Sequence, residues 1–181
     1  MYQIPSSALE SARERIVRSI GTQAAAEPLL YVSITHQRLW LLDVSDSDRS
    51  WQMSSSRFGQ GNLEGSFQTP LGVHRIVEKY GDGARTGTIF RDRLDTGEVW
   101  TPDQAPDNLV LSRILRLAGL EEGINKGAGI DSCDRYIYLH GTSRESTIGT
   151  PSSHGCVVLR NADIIELFDA VKEGTVVYID Q

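Results

Sequence analysis

Residues 138–171 read YLHGTSRESTIGTPSSHGCVVLRNADIIELFDAV, and two of the chain's four histidines and one of its two cysteines fall in the first part of that stretch. His140 closes a run of aromatic and aliphatic residues with a strand-like pattern. A loop of small and polar residues follows, then Ser153-His154-Gly155-Cys156, and from Asn161 the apolar spacing turns helical. A thiol is mostly protonated near neutral pH, and only its thiolate attacks carbonyl carbon well. A nearby imidazole can take that proton, and a helix N-terminus can stabilise the anion. Folding the loop back brings His140 and Cys156 together. The small residues before Cys156 allow consecutive backbone N–H groups to point at one spot and hold a developing oxyanion. The pattern suits acyl transfer.

Two other readings stand beside this one on spacing alone. A cysteine in a glycine-containing turn with a structural histidine nearby is often an inert buried residue. A zinc site built from His140, His154, Cys156 and Cys133 matches no standard ligand spacing, so neither metal nor cofactor is expected. His154 lies in the same turn as Cys156 and is expected to line a substrate groove, while His140 is the better base. Cys133 reads as a small half-buried residue before a strand, with oxidative pairing to Cys156 as its alternative. Trp40, Trp51 and Trp100 read as core or rim residues, and His74, alternating with Val73 and Ile76, reads as lying on the outer face of its strand.

The rest of the chain supplies a frame for that stretch. Ser7 and Glu10 fit a capping box, and Leu9, Ala12, Ile16 and Ile20 recur at helical spacing up to Gly21, which predicts a docking helix. From Leu29 the period becomes two. Residues 29–34 and 38–44 predict a hairpin turning at Thr35-His36-Gln37, with further strands in SWQMSSSRFG, LGVHRIVEKY and TVVYID; NLVLSRILRL is legible as strand or short helix. NADIIELFDAVKEG predicts a helix with Asn161 as N-cap and Gly174 at its end. The insert YGDGARTGTIFRDRLDTGEVWTPDQAPDN is too long and too rich in Gly, Asp and Thr for one regular element, and such loops usually cover a site. The expected domain plan is a helical extension over residues 1–28 packed on a catalytic domain over 29–181. The pattern is mainly β with α (α+β).

Composition excludes several classes of function. The chain has 181 residues, 39% hydrophobic and 23% charged, with no apolar run long enough to span a bilayer. A formal net charge of -6 with no basic cluster argues against a nucleic-acid partner. The first twenty residues carry charges where a secretory leader would hold its apolar core, which leaves the cytosol, another export route or a leader outside this sequence.

The stretch resembles the L,D-transpeptidase catalytic domain, the YkuD fold, which carries His-Gly-Thr on a strand and Ser-(His)-Gly-Cys after a loop. Here these are His140-Gly141-Thr142 and Ser153-His154-Gly155-Cys156. The resemblance continues through Leu159, Asn161, Asp163 and Ile164 to the closing GTVVYI. Upstream it takes in LLYVSITHQRLWLLD and SSSRFGQGNLEGSFQTPLGVHRI, so that it covers roughly residues 29–180. The resemblance implies a β-sandwich of mixed sheets with a capping helix after the cysteine. It implies that Cys156 is the nucleophile, His140 the general base and the Gly141 carbonyl the group that orients the imidazole. The backbone of 153–156 forms the oxyanion hole, and Thr142 and Arg160 belong to the substrate surroundings. It implies a bacterial cell-envelope or periplasmic enzyme of wall biogenesis and cell shape that carbapenems can acylate. Its partners are peptidoglycan stem peptides, a tetrapeptide donor losing the D-Ala at position four and an amine acceptor. Hydrolysis of the same stem as an L,D-carboxypeptidase or amidase is the alternative, and a wall-binding module of the same fold is the non-enzyme alternative. One departure stands out: the family has arginine two residues after the nucleophile, and this chain has Val158, which cannot grip a carboxylate. Glu64 and residues 54–57 are candidate replacements.

Overall fold

The computed structural model describes residues 4, 6–22, 28–42, 49–104 and 107–181, with the side chains of the first helix described from residue 9. The capping contact expected of Ser7 and residues 43–44 of the second strand lie outside the described residues. The expected hairpin is β1 (Leu29–Ser33) with β2 (Arg38–Leu42), turning through Gln37 at φ 46°. It continues into β3 (Arg49–Gln52), β4 (Gly72–Tyr80), β5 (Thr88–Arg91), β6 (Leu94–Val99), β7 (Val110–Gly119), β8 (Tyr138–Gly141), β9 (Val157–Leu159) and β10 (Val176–Asp180). The two helices are α1 (Ser6–Ile20) and α2 (Asn161–Ala170). The segment NLVLSRILRL is strand: β7 pairs with β4, β5 and β8, and that sheet environment overrides the helical legibility of its leucines.

The strands form one mixed sheet in the order β3-β2-β1-β10-β4-β7, extended from β7 by β8 and β9, with β5 and β6 attached at the start of β7. Only β1–β10 and β8–β9 are parallel. The sheet curls until its two ends meet, since Ser54 N–H donates to Val158 O at 2.8 Å and Val158 N–H returns to Ser54 O at 3.0 Å. Strand alternation then sorts side chains into two layers. Leu30, Val32, Leu39, Leu41, Leu139, Val157 and Leu159 face inward onto Ile164, Leu167 and Phe168 of α2. Leu29, Tyr31, Trp40, Val73, Val176 and Tyr178 face outward and are covered by Ala12 and Ile16 of α1, both without exposed surface. Burying a side chain such as Ile16 stabilises by about 1.5–3 kcal/mol. An ion pair from Arg15 Nε to Glu121 Oε1 at 3.0 Å ties the same helix to the loop after β7.

Two local expectations are corrected. Helix α2 is capped by Arg160 with no side-chain bond, and it ends at Ala170 rather than at Gly174; Lys79 Nζ donates to the carbonyls of Phe168 and Val171, 2.6 Å each, and so satisfies its last turn. His74 is not on an outer face but has no exposed surface at all. Its Nδ1 lies 3.0 Å from Gly72 O and its Nε2 3.0 Å from Ser132 Oγ, because the loop before β8 folds over β4. Burial lowers His74 to about 4. The folded state therefore resists protonation that the unfolded chain accepts at the ordinary 6.5. The stability this provides is present above pH 6.5 and is lost as pH falls from 6.5 toward 4, by about 3 kcal/mol for one such histidine. Chemical denaturation at a series of pH values should show that slope, and His74→Gln should make it shallower without abolishing it, because buried His140 is lowered to about 4 as well.

Candidate active site

The parallel pairing of β8 with β9 sets His140 beside Val158 and Leu139 beside Val157. Leu139, Val157 and Leu159 belong to the core, so alternation turns Tyr138, His140 and Val158 to the opposite face. Cys156, one residue before β9, packs on that face against the cluster of Phe90, Ile114 and Tyr138. Its Sγ lies 3.6 Å from Tyr136 O. The His140 Nδ1 is 2.7 Å from Gly141 O, a contact that carries the imidazole proton on Nδ1 and leaves Nε2 as the basic atom.

Local sterics keep this arrangement in place. A Cβ on Gly141 would meet Asn161 Oδ1 at 2.5 Å and Leu111 O at 2.7 Å, so the approach of α2 to β8 requires glycine there. Asn161 donates through Nδ2 to Thr142 O at 2.9 Å and to Glu145 Oε1 at 2.7 Å, accepts from Ser112 Oγ at 2.6 Å, and gives its backbone N–H to Glu145 Oε1. Ser112, at φ 67° within a bulge of β7, is thereby bonded to the helix start. Gly155 adopts φ 120° in the turn before the thiol. Ser153 Oγ donates to Cys156 O at 2.5 Å and accepts from Gly155 N–H at 3.3 Å, which fixes the turn from inside.

The other residues singled out in the sequence divide between this face and elsewhere. His154 stands next to the turn with Nε2 2.8 Å from Arg57 Nη2; because guanidinium only donates, the imidazole is neutral with its proton on Nδ1, an atom buried without a partner among the described residues. Burial first, and Arg57 second, lower its pKa. Phe58 and Phe67, both exposed, sit 5.7 and 6.2 Å from the His154 ring. Thr142 Oγ1 accepts from Arg144 N–H and serves the loop. Arg160 turns away to Gln52 at 3.1 Å and Asp163 at 3.7 Å. Cys133 and Cys156 are both free thiols, and Trp40 and Trp51 are core residues.

Several neighbours of the thiol were not legible in the sequence. Arg135 donates to Gly61 O at 3.2 Å and Gln68 O at 2.6 Å, tying the glycine-rich insert to the strand entrance, and is the cation that most favours ionisation of Cys156. Tyr136, Tyr138 and Arg93 line a pocket that shares Phe90, Ile114 and Tyr138 with the packing of Cys156. The sequence signal for Arg93 was a short strand–turn–strand pattern hidden in the long polar insert.

Burial dominates the electrostatics. It pushes the Cys156 thiol up to about 11, opposed only in part by the Tyr138 backbone N–H and by Arg135, and it lowers His140 to about 4. Both groups are thus neutral at pH 7, and Val158, the register partner of His140, adds apolar surface where an arginine would have added charge.

The profile of the YkuD family, described as L,D-transpeptidase catalytic domain, matches residues 27–179. Over 121 residues the chain is 32% identical to the probable L,D-transpeptidase YbiS of Escherichia coli K12, which covers 62% of this chain and 37% of that protein. An L,D-transpeptidase crystal structure from Enterococcus faecium superposes with a TM-score of 0.52 at 15% identity, covering 85% of this chain and 50% of that one. The structure of LdtMt1 in complex with imipenem gives 0.50 at 16% identity, covering 84% and 58%. These two likenesses show the shared fold. The chain spans about two-fifths of YbiS and half of the E. faecium protein.

Two outcomes follow from this geometry. Alkylation of Cys156 by iodoacetamide, which consumes thiolate, should be slow at pH 7 and rise about tenfold per pH unit until it levels near 11, as followed by intact mass. Gly141→Ala should lower stability by about 1–3 kcal/mol in denaturant unfolding, the ordinary cost of overpacking a close contact.

Proposed function

The chain belongs to the L,D-transpeptidase catalytic-domain family, and from that premise we propose that it is a cysteine-dependent acyltransferase acting on peptidoglycan stem peptides in the cell envelope. The single observation that carries the reading is the shared strand face of His140 and Cys156, with His140 Nδ1 held at Gly141 O and Nε2 left to act as base. Among the described residues no helix is long and apolar enough to cross a membrane.

The proposed donor is a tetrapeptide stem. His140 Nε2 takes the Cys156 proton as Sγ attacks the carbonyl carbon between residues three and four; the C–S bond forms and the carbonyl electron pair moves to oxygen. In the turn 153–156 the Ser153 N–H is bonded to Ser55 O and the Gly155 N–H to Ser153 Oγ, so the Cys156 amide is the proposed first donor to that oxyanion. Collapse breaks the C–N bond, and the imidazolium gives its proton to the departing D-Ala amine. The thioester is then attacked by an acceptor amine, whose proton passes to His140 and on to the released thiol. A neutral thiol and a neutral imidazole form the competent pair at the outset. Activity should accordingly be lost on the acid side as pH falls through about 4, where His140 takes up a proton in the free protein. Short assays that precede acid unfolding would measure this.

Incubation with a disaccharide tetrapeptide, read by mass spectrometry, tests the reading. The expected products are a cross-linked dimer and free D-Ala, both absent with Cys156→Ala. Loss of D-Ala with gain of water and no dimer would assign the carboxypeptidase reaction instead. Peptide binding that survives Cys156→Ala with no mass change in the wild type would overturn the enzyme reading in favour of a binding module.

A further inference from the structure

A pocket of about 400 Å³ opens along the apolar cluster that packs against Cys156, lined in part by that cluster's Phe90, Ile114 and Tyr138. Phe90, Val110 and Ile114 give it apolar lining, Tyr136 and Tyr138 aromatic lining, and Arg93 its only cation, next to the lining residue Asp92. Phe90, Ile114 and Tyr138 are also the residues against which Cys156 packs, so the pocket and the thiol share that wall.

Arg93 is placed there by an unusual backbone. It and Asp92 form the two-residue turn of the β5–β6 hairpin, whose last pair is Arg91 with Leu94, and both have positive φ, 49° for Asp92 and 69° for Arg93. Such turns favour Asn-Gly, since glycine enters the left-handed region without steric cost. Here an arginine occupies the position suited to glycine. Its guanidinium lies 5.5 Å from the Tyr136 ring centroid and donates to Tyr138 Oη at 3.2 Å. Among the described residues it makes no ion pair, with Asp92 or any other carboxylate. Arg116, at 5.7 Å from the same ring, is already paired with Glu78 at 2.7 Å. Of the two guanidinium groups against the Tyr136 ring, the one that lines the pocket is, among the described residues, the one without an ion pair.

We propose that Arg93 is the anchor for the C-terminal carboxylate of the acyl-donor peptide, and that this pocket receives the residue that leaves. The inference rests on the reading of Cys156 as an acyltransferase nucleophile. The terminal carboxylate sits one residue beyond the scissile carbonyl, an extended span of about 3.3–3.6 Å per residue, which suits a pocket that shares a wall with the thiol. Guanidinium binds carboxylate through paired donors, and Val158 offers none on this face. The hairpin turn thus supplies from across the sheet a charge that the nucleophile's own strand lacks.

The test uses the full chain, as wild type and as Arg93→Gln, Arg93→Lys and Arg93→Gly, with three disaccharide tetrapeptides: free acid, C-terminal carboxamide, and amidated only on the side-chain carboxylate of residue three. Expected for the wild type is a KM about tenfold or more higher for the C-terminal carboxamide than for the free acid. Arg93→Gln should raise KM for the free acid by a similar factor and leave the carboxamide unchanged, with kcat altered little and Arg93→Lys restoring part of the loss. Arg93→Gly should lose the same discrimination while its Tm stays level or rises, which separates lost binding from lost folding. Wild-type discrimination retained in Arg93→Gln overturns the assignment, as does coupling of Arg93 to the side-chain carboxylate alone. No turnover of any of the three peptides by the wild type overturns the acyltransferase reading and this inference with it, whereas turnover with unaltered discrimination overturns only the role of Arg93.

Discussion

The parallel pairing of β8 with β9 is the constraint on which the rest depends. Three residue pairs, Leu139 with Val157, His140 with Val158 and Gly141 with Leu159, fix which side chains enter the core and which turn to the opposite face. A slip of one residue would exchange the two sets and bury the imidazole among leucines. Several contacts guard the register. Asn161 joins the helix start to Thr142, Ser112 and Glu145, Gly141 admits that asparagine at a distance no other residue allows, and the Ser54–Val158 bridge closes the sheet on the far side.

This tight enclosure also sets the chemistry. A surface cysteine beside an exposed imidazole could rest as an ion pair, but here burial raises the thiol and lowers the imidazole, so the low-polarity site holds two neutral groups. Arg135 is spent on the carbonyls of Gly61 and Gln68, and Arg93 stands on the hairpin turn at the pocket.

Much of this was legible in the chain itself. The change of period at Leu29, the motif residues His140-Gly141-Thr142 and Ser153-His154-Gly155-Cys156, and the helical spacing after Asn161 are local signals, and local signals determine which segments are strands and which residues can do chemistry. The β7 segment stayed ambiguous because its leucines fit either period until β4 and β8 flank it. Asn161 was read as a cap, yet its side chain serves three other elements, which no window of sequence displays.

Taken alone, then, the sequence determined the family, the strand-rich framework and the pair of residues, His140 and Cys156, that define the candidate site. Tertiary structure alone decided that His74 is buried, that both reactive groups rest neutral, that Arg160 turns to Gln52 and Asp163, and that Arg93 reaches a pocket formed with Tyr136 and Tyr138. The physical reason is common to all four. Burial and charge neighbourhood depend on residues brought together by sheet closure from distant parts of the chain, whereas periodicity and motif spacing are fixed by covalent order.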